Sequence, residues 1–460
     1  MYIGNTPTTQ AFTPAIDYFS GNGATVAFTL SRQVASVAQV QAVIENVPQS
    51  PGTAFTVSGN VITFTSAPPS GTNNIYVYYT SPITQVIAPG QGTVGTAALA
   101  PNIALSGQSL TVAGNNISAT NSLGFRNRII NGDMRIDQRN NGASVTAVNG
   151  TYTLDRWVPA LTGGGGFSVQ RSTTVPTGAG FTNSLFLTVT TADSSLASGD
   201  YYGIQQFIEG FNVADFAYGT SSAVPVTISF WARSSITGTY CVWAGNTNAS
   251  KSYVGTYTIN SANTWEQKTI TVSGDTASAL ATDNSIGLRL WFTLGGGSSF
   301  TTTAGSWQSG TYFQTSAQTQ WISTNGATFY ITGVQLEAGS VATPFERRDY
   351  GRELIMCQRY YQKFTAPRLR GVSNGTTNLN RMGMTLPVTM RAAPTATSSG
   401  AHDWYDGTGI GTSTTVAAAY ATADSVEFDM TAATGTTAGS RPIVFYISGS
   451  GGTISATAEL

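Results

Sequence analysis

Short runs in which apolar and polar residues alternate recur along this chain, and Gly, Asn or Ser separates one from the next. That rhythm restricts the fold more than any other feature. Alternation sends successive side chains to opposite faces, so each run reads as a strand with one buried face. Val26, Phe28 and Leu30 set the pattern, and Val40, Ala42 and Ile44 repeat it. Within residues 55–64 two runs meet at Gly59-Asn60, a pair suited to positive φ, which predicts a hairpin. With residues 75–79 they make six short strands, a β-sandwich over residues 1–80. Further runs lie at 184–190, 225–233, 239–244, 265–273, 285–294 and 328–336, with no helical period between them. A two-sheet jelly roll is the simplest architecture for residues 125–346, and the fold class is all-β.

Charge narrows the function. Charged residues are 9% of the 460, against roughly 25% in an average soluble chain. A net charge of −1 offers no global field to draw in nucleic acid or an anionic membrane. No stretch is long enough to span a bilayer, and the opening residues lack the pattern of a secretory signal. The first 125 residues carry only Asp17, Arg32 and Glu45. So bare a surface has little charge to resist self-association and points to a homo-oligomer. Residues 81–124 have neither charge nor period, which leaves two readings: an extended stalk in which copies pack together, or a flexible linker.

One helix is expected. Tyr350, Leu354, Cys357, Tyr361 and Phe364 fall at i, i+4, i+7, i+11 and i+14, which predicts a helical connector over 347–366 with that stripe docked on a β domain. Arg347, Arg348, Arg352 and Arg359 then form a solvated face or meet an acidic partner. From 367 to 460 the chain returns to β-structure as a terminal domain.

The catalytic inventory is thin. His402 is the single histidine and no nucleophile motif accompanies it; Cys241 and Cys357 are too far apart in sequence for a metal-ligand motif and read as core thiols. Residues 163–166 are four glycines that lead into no helix, hence a turn. Asp155-Arg156 reads as a local ion pair. No catalytic residue is assigned. Two carboxylates could still meet in three dimensions, so a polysaccharide depolymerase stays as a lesser alternative.

Surface recognition remains. Ile228, Phe230 and Ala232 alternate with Trp231 and Arg233; Ile286, Leu288, Leu290 and Phe292 alternate with Arg289 and Trp291, a face that Cys241 and Trp243 continue. Aromatic rings stack on sugar faces, and guanidinium forks donate to hydroxyls or carboxylates. These Trp/Arg faces are therefore a sugar platform, or residues packed under loops or in a subunit interface. His402, Asp403, Trp404 and Tyr405 form a second candidate, a Gly-bounded recognition loop.

Several stretches resemble known families. Residues 2–5, 19–23 and 26–30 are similar to amino-terminal domains of phage fibre and virion proteins. Asn127 through Met134 resembles the opening of jelly-roll carbohydrate-binding modules, and residues 329–340 resemble their closing strand as found in phage tail proteins. Residues 343–346, 357–361 and 390–395 also resemble those tail proteins. The resemblance implies a trimeric tail-fibre protein of the virion, made in the host cytoplasm. Its amino-terminal domain would join another virion protein, and its distal domains would meet a host glycan or protein. A head fibre or capsid decoration is the alternative. No cofactor is implied beyond a structural calcium, for which Asp133 is the candidate, although Thr332 stands where such modules place an acid.

Overall fold

In the first unit the alternating runs become two packed sheets. The computed structural model describes residues 15–80, 126–365, 367–373, 380–400, 403–405, 410–432, 442–446 and 453–460. They fall into two units, within residues 1–111 and 112–460. The segment 81–124 and His402 lie outside the described residues. The first unit holds β1 (Ile16–Gly21), β2 (Ala27–Thr29), β3 (Val40–Ile44), β4 (Val47–Pro48), β5 (Phe55–Ser58), β6 (Val61–Phe64) and β7 (Gly71–Tyr79). One sheet runs β1-β7-β3-β4 and the other β2-β6-β5, with Val40, Ala42, Phe55, Ile62, Phe64, Ile75 and Val77 between them. The β5–β6 hairpin turns at Gly59 with φ +62°, the conformation the dipeptide predicts. Asp17 is a fastener: Tyr79 donates to it at 2.5 Å and the Ser31 amide at 2.6 Å. The four-stranded sheet leaves Tyr18, Tyr78, Ile16 and Val47 exposed.

The second unit opens with a jelly roll. Its strands are β8 (Val145–Thr146), β9 (Val158–Thr162), β10 (Gly166–Ser172), β11 (Ser184–Thr191), β12 (Tyr201–Glu209), β13 (Val226–Ser234), β14 (Gly238–Gly245), β15 (Lys251–Ile259), β16 (Glu266–Val272), β17 (Ile286–Gly296), β18 (Trp307–Ser309) and β19 (Thr328–Ala338). Two antiparallel sheets result, β16-β13-β19-β11-β10-β8 and β18-β15-β14-β17-β12-β9. Ile228, Phe230 and Ala232 of the first sheet face Leu288, Leu290 and Phe292 of the second, as the alternation predicts. Phe230 meets Phe292 edge-on with ring centres 4.9 Å apart.

The opening turn and the closing strand lock together. Asn127 accepts the amides of Ile129 and Leu336 and donates to the Val334 carbonyl. Asn131 takes φ +58°, and an added Cβ on Gly132 would stand 2.1 Å from the Val334 carbonyl oxygen. Only glycine fits where this turn lies on β19.

The helix is shorter than the apolar stripe suggests. α1 spans Tyr350–Gln358, capped by Asp349, whose carboxylate accepts the Arg352 amide. Tyr361 and Phe364 belong instead to β20 (Tyr361–Thr365), which pairs with β28 (Thr453–Thr457). The helical spacing past residue 358 is a coincidence, because strand pairing claims those residues. The stripe is not uniformly docked either, since Tyr350 is 55% exposed while Cys357 is buried. Nor do the four arginines form a solvated face. Arg348 is buried against Glu353; Arg347 lies over Phe181 and donates to two backbone carbonyls; Arg359 pairs with Glu209; only Arg352 is exposed and without a guanidinium partner among the described residues.

The remaining strands are β21 (Arg368–Ser373), β22 (Asn380–Thr385), β23 (Thr395–Ser399), β24 (Asp403–Tyr405), β25 (Ile410–Thr422), β26 (Ser425–Ala432) and β27 (Pro442–Tyr446). β21-β22-β26-β25-β24-β27 close into a barrel, and β20-β28-β23 form a sheet beside it over a shared core that includes Leu369, Met382, Phe428 and Ile454.

Candidate functional site

The two Trp/Arg faces lie on opposite sides of the jelly roll, and the structure treats them differently. On the second sheet the face is covered. The β17–β19 connection folds over it, placing Phe313 flat on Trp291 (4.2 Å) and against the edge of Trp243 (5.1 Å), with Phe300 stacked behind. Thr293 donates to the Phe313 carbonyl at 2.7 Å and the Gln318 side-chain oxygen accepts the Cys241 amide at 2.8 Å, so the cover is fastened through one backbone and one side-chain bond. Trp243 and Trp291 are only 2% and 4% exposed, closed to any ligand. Arg289 donates to the Thr247 carbonyl and lies over Phe207, where burial lowers its pKa. The sugar-platform reading of Trp243 and Trp291 is therefore corrected: a loop buries them because two indoles and a phenyl ring remove more apolar surface from water than an open sheet would, while Arg289 stays half-buried beside them.

Two glycines make that packing possible. A Cβ on Gly203 would stand 1.8 Å from the Trp291 indole nitrogen, and one on Gly245 would stand 2.0 Å from Trp243 Cζ2. Gly203→Ala is expected to destabilise the second unit by about 1–3 kcal/mol through overpacking. A lower urea midpoint with an unchanged slope would show it.

The first sheet's outer face is open. Register places Gln170, Phe186, Tyr330 and Arg233 in one line across β10, β11, β19 and β13. Phe186 and Tyr330 stack at 4.2 Å and 12°, the Arg233 guanidinium sits 4.9 Å from the Tyr330 ring centre, and Trp265 meets that ring edge-on at 6.0 Å. All four are half-buried, as is Trp231, two residues before Arg233 on the same face. Arg233 donates from Nε to the Asn263 carbonyl at 2.8 Å, which orients it; its two Nη atoms have no partner among the described residues. Thr188, Thr328 and Ser168 carry hydroxyls beside the aromatic line. Phe186, Tyr330 and Trp265 escaped the sequence reading, though their signal was present. Phe186 is out of phase with Leu185 and Leu187, and Tyr330 with Phe329 and Ile331, so both point away from the core.

The third candidate changes character. Asp403–Tyr405 is β24, paired with β25 on one side and β27 on the other. These residues form a barrel strand rather than a Gly-bounded loop, because two ladders satisfy their backbone.

Asp133 does not suit a calcium ion. The Arg135 guanidinium lies 2.5 Å from one carboxylate oxygen, and burial pushes the carboxyl's pKa up despite that cation. Thr332 spends its hydroxyl on the Asn183 carbonyl. Among the described residues no three His, Cys, Asp or Glu side chains gather as a metal site. A guanidinium already on the Asp133 carboxylate opposes a second cation there.

No family model matches this chain, and no curated protein sequence matches it. Similar solved structures include the enzymatically active domain of tailspike protein 4 of bacteriophage CBA120, 13% identical over 46% of this chain, with a TM-score of 0.24. That match spans 21% of the tailspike chain, about a fifth of its length. A CBM4 carbohydrate-binding module is 16% identical over 45% of this chain and 97% of its own, with a TM-score of 0.22. The family 11 carbohydrate-binding module of a Clostridium thermocellum cellulosomal cellulase is 12% identical over 44% and 96%, also at 0.22. At these scores no residue of theirs is carried onto this chain.

Proposed function

We propose that this chain is a non-catalytic, glycan-binding fibre protein of a tailed phage, and that the outer face of the first jelly-roll sheet is its binding surface. The observation that carries the reading is the line of Phe186, Tyr330 and Arg233, with Trp265 and Trp231 beside it. It combines half-exposed rings with a guanidinium oriented through Nε whose Nη atoms are unspent. Rings of this kind take the apolar faces of sugars, and the free N–H groups donate to their oxygens. Rigid strands hold both, so little ordering opposes binding. The exposed Tyr18 and Tyr78 face of the first unit is the proposed surface for joining the virion, and assembly as a homotrimer supplies avidity to weak sites. Mass measurement checks the assembly, with three copies of the 48.0 kDa chain expected.

Tyr330→Ala combined with Arg233→Ala is expected to weaken retention on immobilised host polysaccharide at least tenfold, while keeping one cooperative unfolding transition at a midpoint lowered by the lost stacking on Phe186 and the lost bond to Asn263. Retention equal to the parent's would sink the reading. Prolonged incubation with the same polysaccharide is expected to release no new reducing ends.

A further inference from the structure

A cleft of about 260 Å³ lies away from the aromatic face, between α1, Ile130 and the end of β12. Arg352 and Met356 of α1 and Arg359, its C-terminal cap, line it at i, i+4 and i+7, joined by Ile130, Asn212 and Tyr360. The floor is apolar and the rim is cationic. Arg359 is held by Glu209, which accepts from Nε at 3.1 Å and Nη2 at 2.6 Å while Tyr360 donates to the same carboxylate at 2.5 Å. That arrangement fixes the guanidinium and leaves its Nη1 without a partner among the described residues. Arg352 is exposed and its guanidinium is uncommitted, whereas the three other arginines in or beside α1 are all engaged.

We propose that this cleft binds a carboxylated sugar ring, a uronate-type unit. Its carboxylate would pair with Arg352, its ring would lie on Met356 and Ile130, and its hydroxyls would meet Asn212 and the free Nη1 of Arg359. Three features select the class. The volume suits one sugar ring and is too small for a helix or an extended peptide. The uncommitted fork matches a carboxylate in two parallel hydrogen bonds. Methyl and thioether groups on the floor match the C–H face of a pyranose. The site is separate from the first-sheet face and does not depend on what that face binds.

The test uses the full chain labelled with ¹³C at its methionine methyl groups, so that Met356 reports from inside the cleft. Glucuronate and galacturonate are titrated beside glucose, galactose and acetate. The expected result is a saturable shift of the Met356 signal with a uronate, at least tenfold weaker with the neutral sugars and with acetate. Arg352→Gln should weaken the uronate response at least tenfold with no change in unfolding midpoint, since that side chain is exposed and its guanidinium has no hydrogen bond or ion pair among the described residues. Neutral sugars or acetate shifting Met356 as strongly as uronate would overturn the proposal. So would a uronate response that survives Arg352→Gln, or no Met356 response in the parent chain. The Tyr330/Arg233 double variant should keep the Met356 shift in full.

Discussion

Arg156→Met is expected to destabilise the second unit by about 3–5 kcal/mol, because it takes from the buried Glu459 carboxylate one of its two cationic partners. Arg156 and Asp155 are not the local ion pair that adjacency suggests. The Arg156 side chain is 1% exposed, its Nη1 donates to Glu459, three hundred residues away, and its Nη2 donates to the Phe207 carbonyl at 2.6 Å. Its guanidinium lies 3.6 Å from the centre of the Tyr360 ring. Burial lowers the pKa of this guanidinium, and Glu459 with Tyr360 and Tyr152 more than offsets that, so the charge is held in place. Glu459 keeps Arg139 at 2.7 Å in the variant, which places the loss toward the lower end of the range. Urea unfolding measures the effect, and a cycle with Glu459→Leu apportions it. The double variant is expected to cost clearly less than the sum of the singles, since the loss of Arg156 strands no carboxylate once Glu459 is gone, although Arg139 loses its partner in both Glu459 variants. A single Arg156→Met variant within 0.5 kcal/mol of the parent would remove the seam from the account of this fold.

That seam explains what the sequence could and could not show. Period-two alternation depends only on which face a strand buries, so the strand bearing Phe230 and the strand bearing Leu290 were legible, and the two-sheet core with them. The apolar outer face bearing Trp243 and Trp291 was legible as a face, but not as covered. The cover comes from residues around Phe313, whose own pattern carries no period. The helix was overextended because Tyr361 and Phe364 continue its spacing, while the partner strand that claims them starts at Thr453. Asp155-Arg156 was misread for the same reason: adjacency is visible in sequence, and a partner at Glu459 is not. The stretches that resemble phage tail proteins converge here. Glu346 accepts the Asn127 amide, Arg359 and Tyr360 hold Glu209, and Arg391 donates to the carbonyls of Ala458, Glu459 and Asn284. They mark the joint between jelly roll and terminal domain more than any ligand surface. On the first sheet Tyr330 belongs to such a stretch, but Phe186 and Arg233 do not, and only register brings the three together.

Between about pH 4 and pH 6 the second unit is expected to lose stability as pH rises, opposite to the common behaviour of salt-bridged carboxylates. Asp155 sits at this same joint, 1% exposed, and accepts the Gln138 amide at 2.7 Å and its side-chain amide at 2.6 Å. Burial raises its pKa from 3.8 to about 6, against the opposing pull of Arg139 and the Gln138 hydrogen bonds. The sign follows from proton uptake. In this window the folded protein holds a proton that the unfolded chain has released, so rising pH favours unfolding. The group's contribution is complete below about pH 4 and gone above about pH 6, a swing of about 3 kcal/mol. Burial also raises the pKa values of Asp133 and Glu353, which tilt the slope the same way. Glu266 opposes them: against partial burial, hydrogen bonds from Lys268, Ser261 and Asn260 hold its pKa down at about 2, which offsets part of the loss between about pH 4 and pH 5. Exposed Asp283 and half-buried Asp429, also lowered, act in that sense at lower pH. Asp155→Asn keeps an acceptor for the Gln138 amide and removes the titration. Urea midpoints at pH 4.5 and 6.5 should therefore differ markedly in the parent chain and by less than half as much in the variant. An identical pH slope in both would mean that Asp155 is already ionised in the folded state. Arg139 would then outweigh the burial of the carboxyl, and the joint would be held by a second internal ion pair instead of a protonated acid.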